Sequence, residues 1–247
     1  KIKFLAADIN KSINIPSIIA IPLSEKINNQ LVLESNNLES NNLEDIIKQG
    51  VQTGIRLAGL TIQDKIFLNG YSSSGVFAQR FSLLHPEIVD TACIGGASGS
   101  IPIPTEKLAY PIGIANYESL TGKKFDLESY SNIKFRYYVG ELETQNKSDL
   151  RVDDFGEPAP IHDMSYFDRS VTTDIGKLQR NILGTEMFFR AENTIKILQN
   201  LGIDIQHKII LGRNHNNKNG IGVNELGDRF IIETYRNSIK NENKISL

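Results

Sequence analysis

Cysteine is nearly absent from this chain. Its 247 residues include one, Cys93, so an internal disulfide and a multi-cysteine zinc site are both excluded. The setting of that residue, TACIGG, reads as a small buried hydrophobe. A charge excess of either sign is missing too, since 27 Lys and Arg face 29 Asp and Glu for a formal charge of -2. No run of basic residues supplies a local footprint for nucleic acid or an anionic membrane, so neither is expected as a partner. Long apolar runs are lacking. The longest, SIIAIPL at 17–23, is interrupted by Pro22 and falls far short of the roughly 20 residues that cross a bilayer. No glycine-rich phosphate loop occurs. His162, Asp163 and Asp168 lie close in sequence but match no strong ligand pattern, so neither a metal nor a cofactor is expected. The chain reads as soluble. It begins at Lys1 rather than Met, and cytoplasmic and exported settings both stay open.

What is present is an alternation of strand-length apolar runs with stretches of helical period, the pattern of a mostly parallel sheet flanked by helices. SIIAIPL and NQLVLES read as two strands. NNLEDIIKQGVQTGIRLAG carries Leu43, Ile46, Ile47, Val51, Ile55 and Leu57 at helical spacing. KIFLN at 65–69 is a further strand, and GVFAQRFSLLHP follows with Phe77, Phe81 and Leu84 on a helical face and Pro86 beyond its end. TACIGG at 91–96, IKFRYYVG at 133–140 and the buried run IQHKIILG at 205–212 are expected strands. The helix EMFFRAENTIKILQNLG precedes the last and ends at Gly202, a C-cap. No interdomain linker interrupts residues 1–247, which read as one α/β domain.

Between KIFL and the next helix lies NGYSSSGVF, residues 69–77. A nucleophile on a strand-to-helix turn sits where the residues two before and two after it approach closely, so both must be small. Ser72 is flanked in this way by Gly70 and Ser74. Ser73 would put Tyr71 in the crowded position, and Ser74 would put Val76 there. The test selects Ser72, against the alternative of a serine-rich helix N-cap.

A serine hydroxyl needs a base to take its proton, and the base needs a carboxylate to orient it. Among the four histidines, His215 stands in the polar turn LGRNHNNKNG just after the last strand. His85 ends a helix and is expected to cap its carbonyls, His207 lies within a strand among buried positions, and His162 falls in a polar insertion. His215 is the candidate base. For the acid, YYVGELETQN supplies Glu141 and Glu143 just past a strand end, with Asp149, Asp153 and Asp154 in reserve. The two glutamates face the same way, and Glu143 stands farther out, where the loop can turn it toward the histidine.

GYSSSGVFAQRFSLLHPEIV, IGGASGSIPIP, YPIGIANYESLTGKKFD, YYVGELETQN and LGRNHN together resemble a group of bacterial α/β-hydrolases whose nucleophile turn runs Gly, aromatic, Ser, Ala, Ser, Gly. The resemblance covers about residues 15–235. It implies an α/β-hydrolase fold, Ser72 as nucleophile and His215 as base. The group's Asp, three residues after the strand-end glycine, falls on Glu143 here, and glutamate also serves as the orienting acid. The first oxyanion donor is implied to be the Ser73 N–H. The second comes from an earlier strand in such enzymes, and RLAGLTIQDKIF leaves no room for that strand. We therefore expect that an oxyanion-bearing strand and helix belong between about Ala58 and Ile62, or else that the loop after Asn36 supplies the donor.

Two long connections, about 97–131 and 144–184, are expected to form a cap over the carboxyl ends of the strands. Their aromatics, Tyr110, Tyr117, Tyr166 and Phe167, either line an acyl pocket or pack the cap onto the body. The function implied is a serine hydrolase that acts on a small acyl substrate through an acyl-enzyme. A binding or scaffold protein without turnover is the alternative from another class. Acyl transfer or peptide cleavage would use the same residues. Neither the substrate nor the oligomeric state is legible.

Overall fold

The computed structural model describes residues 65–71, 73–97, 102–141, 150–152, 158–160, 178–179, 181–184 and 187–212, with single positions at 49, 53, 232, 233 and 236. The two expected strands near residues 17–35 lie outside the described residues, as do positions 58–62. Gln49 and Thr53, four apart on the polar side of the expected helix, are helical and exposed.

Strand β1 (Ile66–Tyr71) leads into helix α1 (Ser73–Leu84), and strand β2 (Val89–Gly95) follows after a short 3-10 turn at Pro86–Ile88. Two short helices, α2 (Tyr117–Thr121) and α3 (Leu127–Ser131), precede strand β3 (Lys134–Gly140). Helix α4 (Met187–Asn200) and strand β6 (Ile205–Ile210) complete the body. The four long strands form one parallel sheet in the order β1-β2-β3-β6. An antiparallel pair, β4 (Leu150–Val152) with β5 (Pro158–Pro160), stands apart within the second long connection.

Period-2 alternation assigns the two sheet faces. Ala92, Ile94, Phe135, Tyr137 and Val139 join Val76, Ala78 and Phe81 of α1 in the main core. The opposite face of the middle strands carries Thr91, Cys93, Gly95, Arg136 and Tyr138, all buried. Cys93 is fully buried, as its sequence setting implied. Burial on both faces is what a strand in the middle of a parallel sheet requires, and in β2 and β3 it extends even to Thr91 and Arg136.

Helix α1 departs from the one-sided pattern expected of it. Gln79, Arg80 and Ser82 are buried along with Phe81 and Leu83, so the helix is enclosed nearly all round. Phe77 stacks on Phe81 with ring centroids 5.8 Å apart, and the His85 ring lies tilted against Phe81 at 4.8 Å. His85 closes α1 as expected, but through its main-chain N–H, which donates to Phe81 O at 2.9 Å. Strand β6 also differs. Ile205 and Ile210 are buried at its two ends, while Gln206, His207 and Lys208 are exposed. His207 therefore does not alternate with buried neighbours, and β6 is a half-exposed strand at one side of the described sheet. Helix α4 ends as expected: Gly202 adopts φ +78°, and its N–H donates to Gln199 O at 2.9 Å.

At the amino end of β3, the guanidinium of buried Arg136 forms a two-pronged pair with Asp204, at 3.0 and 3.1 Å. The same guanidinium donates to Phe135 O at 2.8 Å. The pair ties β3 to the turn that starts β6. Replacing Asp204 with Asn should lower unfolding stability in urea by about 1–3 kcal/mol, because a buried cation would lose its charged acceptor. An unchanged urea midpoint would show that the carboxylate charge contributes nothing there.

Candidate active site

The turn between β1 and α1 is one residue long. The strand ends at Tyr71, the helix opens at Ser73, and Ser72 between them lies outside the described residues. What surrounds that position is well defined. A Cβ placed on Gly70 would strike the carbonyl group of Ser74 and come within 2.7 Å of the Gly75 nitrogen. Strand and helix backbones thus cross where the sequence test required a small residue. One turn further, a Cβ on Gly75 would lie 2.9 Å from Gly95 O and 3.0 Å from Ala97 Cβ. The start of α1 is pressed against β1 on one side and the end of β2 on the other.

Ser74 closes the turn. Its Oγ accepts the Tyr71 N–H at 2.9 Å and donates to Tyr71 O at 2.8 Å. With both its donor and an acceptor position engaged by the backbone of one residue, this hydroxyl works as a local clasp. Ser73 is the first helical residue, and its N–H belongs to the set that no intrahelical carbonyl can reach. No carboxylate stands in the first turn of α1 to compete for that end of the helix. Further along, Gln79 Nε2 donates to Ala97 O at 3.1 Å from a buried position, fixing the chain as it leaves β2.

Three strand ends meet beside this turn in a row that sequence reasoning missed. Tyr71, Gly95 and Tyr138 are lateral neighbours across β1, β2 and β3. The two tyrosine rings stack at 6.1 Å and 18°, and Ile210 packs with them. They can meet because Gly95 has no side chain: a Cβ there would overlap the ring and hydroxyl of Tyr138. The signal was present in the strand-end IGG, but its meaning depended on the register of two other strands. Gly96 adopts φ +56° and donates to Tyr138 O at 3.0 Å, which locks the same strand end.

The acid and base candidates follow β3 and β6. Glu143 and His215 lie outside the described residues, as do His162, Asp149, Asp153, Asp154, Tyr166 and Phe167. Glu141 is described. It is exposed, and its Oε2 accepts the Gly212 N–H at 2.8 Å across the ends of β3 and β6. Tyr110 and Tyr117 take the packing alternative. Both are buried in the core, and Tyr117 Oη donates to Leu84 O at the far end of α1. Tyr130, also buried, donates to Pro102 O at 3.3 Å, and burial raises its hydroxyl pKa well above the usual value. Among the described residues no His, Cys, Asp and Glu cluster could hold a metal ion. No helix there is long and apolar enough to cross a membrane.

A parallel sheet with a sharp strand-to-helix turn at one end and enclosing helices has counterparts among solved structures. Poly(aspartic acid) hydrolase-1 from Sphingomonas sp. KT-1 superposes with a TM-score of 0.50 at 14% identity, over 78% of this chain and 62% of that one. The fold is that of the α/β-hydrolases. LpqC, a poly(3-hydroxybutyrate) depolymerase from Bordetella parapertussis, gives a TM-score of 0.49 at 13% identity, over 78% of this chain and 56% of that one. The chain thus matches less than two thirds of either neighbour's length. No protein-family model matches the sequence, and no curated protein matches it significantly.

The crowding at the turn sets two expectations for this α/β-hydrolase fold. Gly70→Ala should cost about 3 kcal/mol or more, since the added methyl meets main chain that cannot turn aside. Gly95→Ala should cost about 1–3 kcal/mol, because a tyrosine ring can move where backbone cannot. Denaturant melts of the two variants check the order, and a Gly95→Ala loss larger than that of Gly70→Ala would contradict it.

Proposed function

We propose that the chain is a serine hydrolase, a member of the bacterial α/β-hydrolase group its motifs resemble, cleaving a carboxylic ester or related acyl bond. The observation that carries this reading is the backbone crossing of Gly70 with Ser74 and Gly75, which leaves one residue, Ser72, to turn strand into helix. That is the local arrangement in which a serine is presented at the carboxyl end of a sheet. The clasp made by Ser74 and the helix-opening place of Ser73 support the same assignment.

In this reading Ser72 Oγ attacks the acyl carbon while His215 accepts its proton. The carbonyl π electrons move to oxygen, where the Ser73 N–H stabilises the negative charge. Collapse of the tetrahedral intermediate expels the alcohol or amine, which takes the proton back from His215 and leaves Ser72 acylated. Water then repeats the sequence with His215 again as base, releasing the acid and restoring Ser72. Glu143 orients His215 and stabilises its charged form. The scheme requires no cofactor.

Labelling with a fluorophosphonate probe and turnover of short-chain nitrophenyl esters test the proposal directly. The wild type should label and turn over, and Ser72→Ala should abolish both labelling and the burst of acyl-enzyme. Unchanged turnover in Ser72→Ala would move the nucleophile to Ser73. A folded wild type that neither labels nor turns over would select the binding or scaffold reading. Poly(aspartic acid), the polymer in the structural neighbour's name, belongs in the same substrate panel.

A further inference from the structure

Glu141 is the first residue past β3, and Gly212 is the second past β6. The two strands are hydrogen-bonded neighbours, with Gly140 opposite Ile210, so both positions emerge at the same end of the sheet. The Glu141 carboxylate accepts the Gly212 N–H at 2.8 Å. Gly212 adopts φ +66°, a conformation side-chain-bearing residues rarely take, and this turns the chain sharply as it leaves the strand. Leu211, 75% exposed, adds little packing to hold that turn.

We propose that Glu141 is a positioning residue: by accepting the Gly212 N–H it fixes the direction in which the chain leaves β6 toward His215. The inference rests on the hydrolase reading above. Only Arg213 and Asn214 separate the tethered glycine from the candidate base. A change of direction at Gly212 therefore acts within three residues of the candidate base, and a displacement of about 1 Å in a catalytic group can cost on the order of 100-fold in rate. The assignment also divides the work of the two glutamates. Glu141 holds the loop through a main-chain hydrogen bond, and Glu143 is left to orient the histidine.

Three substitutions separate this role from its competitors, with kcat, KM, fluorophosphonate labelling rate and the pH profile measured for each beside the wild type. Glu141→Ala should lower kcat and labelling about 10- to 100-fold with KM within about twofold. Glu141→Gln keeps an acceptor oxygen at the same reach and should stay within about threefold of wild type. Glu141→Asp keeps the charge but retracts the acceptor by one methylene, and should resemble Glu141→Ala. If Gln is as impaired as Ala and the acidic limb of the profile moves to lower pH, Glu141 is the charged acid of the triad and the positioning role is overturned. A Glu141→Ala enzyme with wild-type kcat overturns it as well, and leaves the hydrolase reading intact. A wild type that fails to label defeats the hydrolase reading itself and the positioning role with it. Should Glu141→Ala not fold, the Gln and Asp variants still decide: active Gln with impaired Asp supports the role, and the reverse refutes it.

Discussion

Where Gly70 meets the peptide between Ser74 and Gly75, there is space for a hydrogen atom and nothing larger. Much of the described architecture follows from that contact. It allows β1 to pass into α1 through one residue, and it brings the first turn of α1 over the sheet. Gly75 then reaches the carbonyl of Gly95 and the methyl of Ala97, so β2 ends directly beneath the same turn. A larger side chain at either glycine would raise the helix off the strands, and the core formed by Val76, Ala78 and Phe81 with Ala92 and Ile94 would open. Close packing makes such a contact unforgiving, because interior backbone has no adjacent void into which to relax.

The opposite face of the sheet is arranged by a second glycine. Gly95 lies between Tyr71 and Tyr138 in the register of three strands, and its missing side chain is the gap through which the rings approach each other. Gly70 and Gly95 thus serve opposite faces of the sheet's carboxyl end: one admits the helix, the other admits an aromatic pair. Both faces are closed against β1 next to the position of Ser72.

The sequence was most informative where burial is uniform. β2 and β3 are enclosed on both faces, and their largely apolar and aromatic segments gave strand type and approximate limits directly. At the serine turn the sequence test asked for a small residue at Gly70, and the backbone crossing there is tight enough to need one. The sequence was less informative where burial is partial. The three isoleucines of IQHKII suggested a buried strand, yet the polar residues between them face water at the side of the sheet. The β4–β5 pair was not foreseen, since prolines at both ends of PAP argue against a paired strand and are accommodated only in a short edge pair. Ser72, Glu143 and His215 lie outside the described residues, so the geometry that bears on them is that of their neighbours.

Those neighbours illustrate how a parallel sheet concentrates chemistry. Each strand in such a sheet runs the same way, so Tyr71, Gly95, Gly140 and Ile210 all finish at one end, and the segments that follow them start within reach of one another. The register alone brings strand ends together to within a residue or two; it does not aim the side chains beyond them. Aim comes from local bonds at each exit. At β1 it is the Ser74 clasp on Tyr71, at β2 the Gly96 N–H and the Gln79 amide, and at β6 the Glu141 carboxylate on Gly212. The first three are made by groups buried or half-buried beside the core. The last is made in solvent by an exposed side chain, where water competes for both partners. Among the described residues, the exit of β6 is therefore held by a bond more open to solvent than those at β1 and β2.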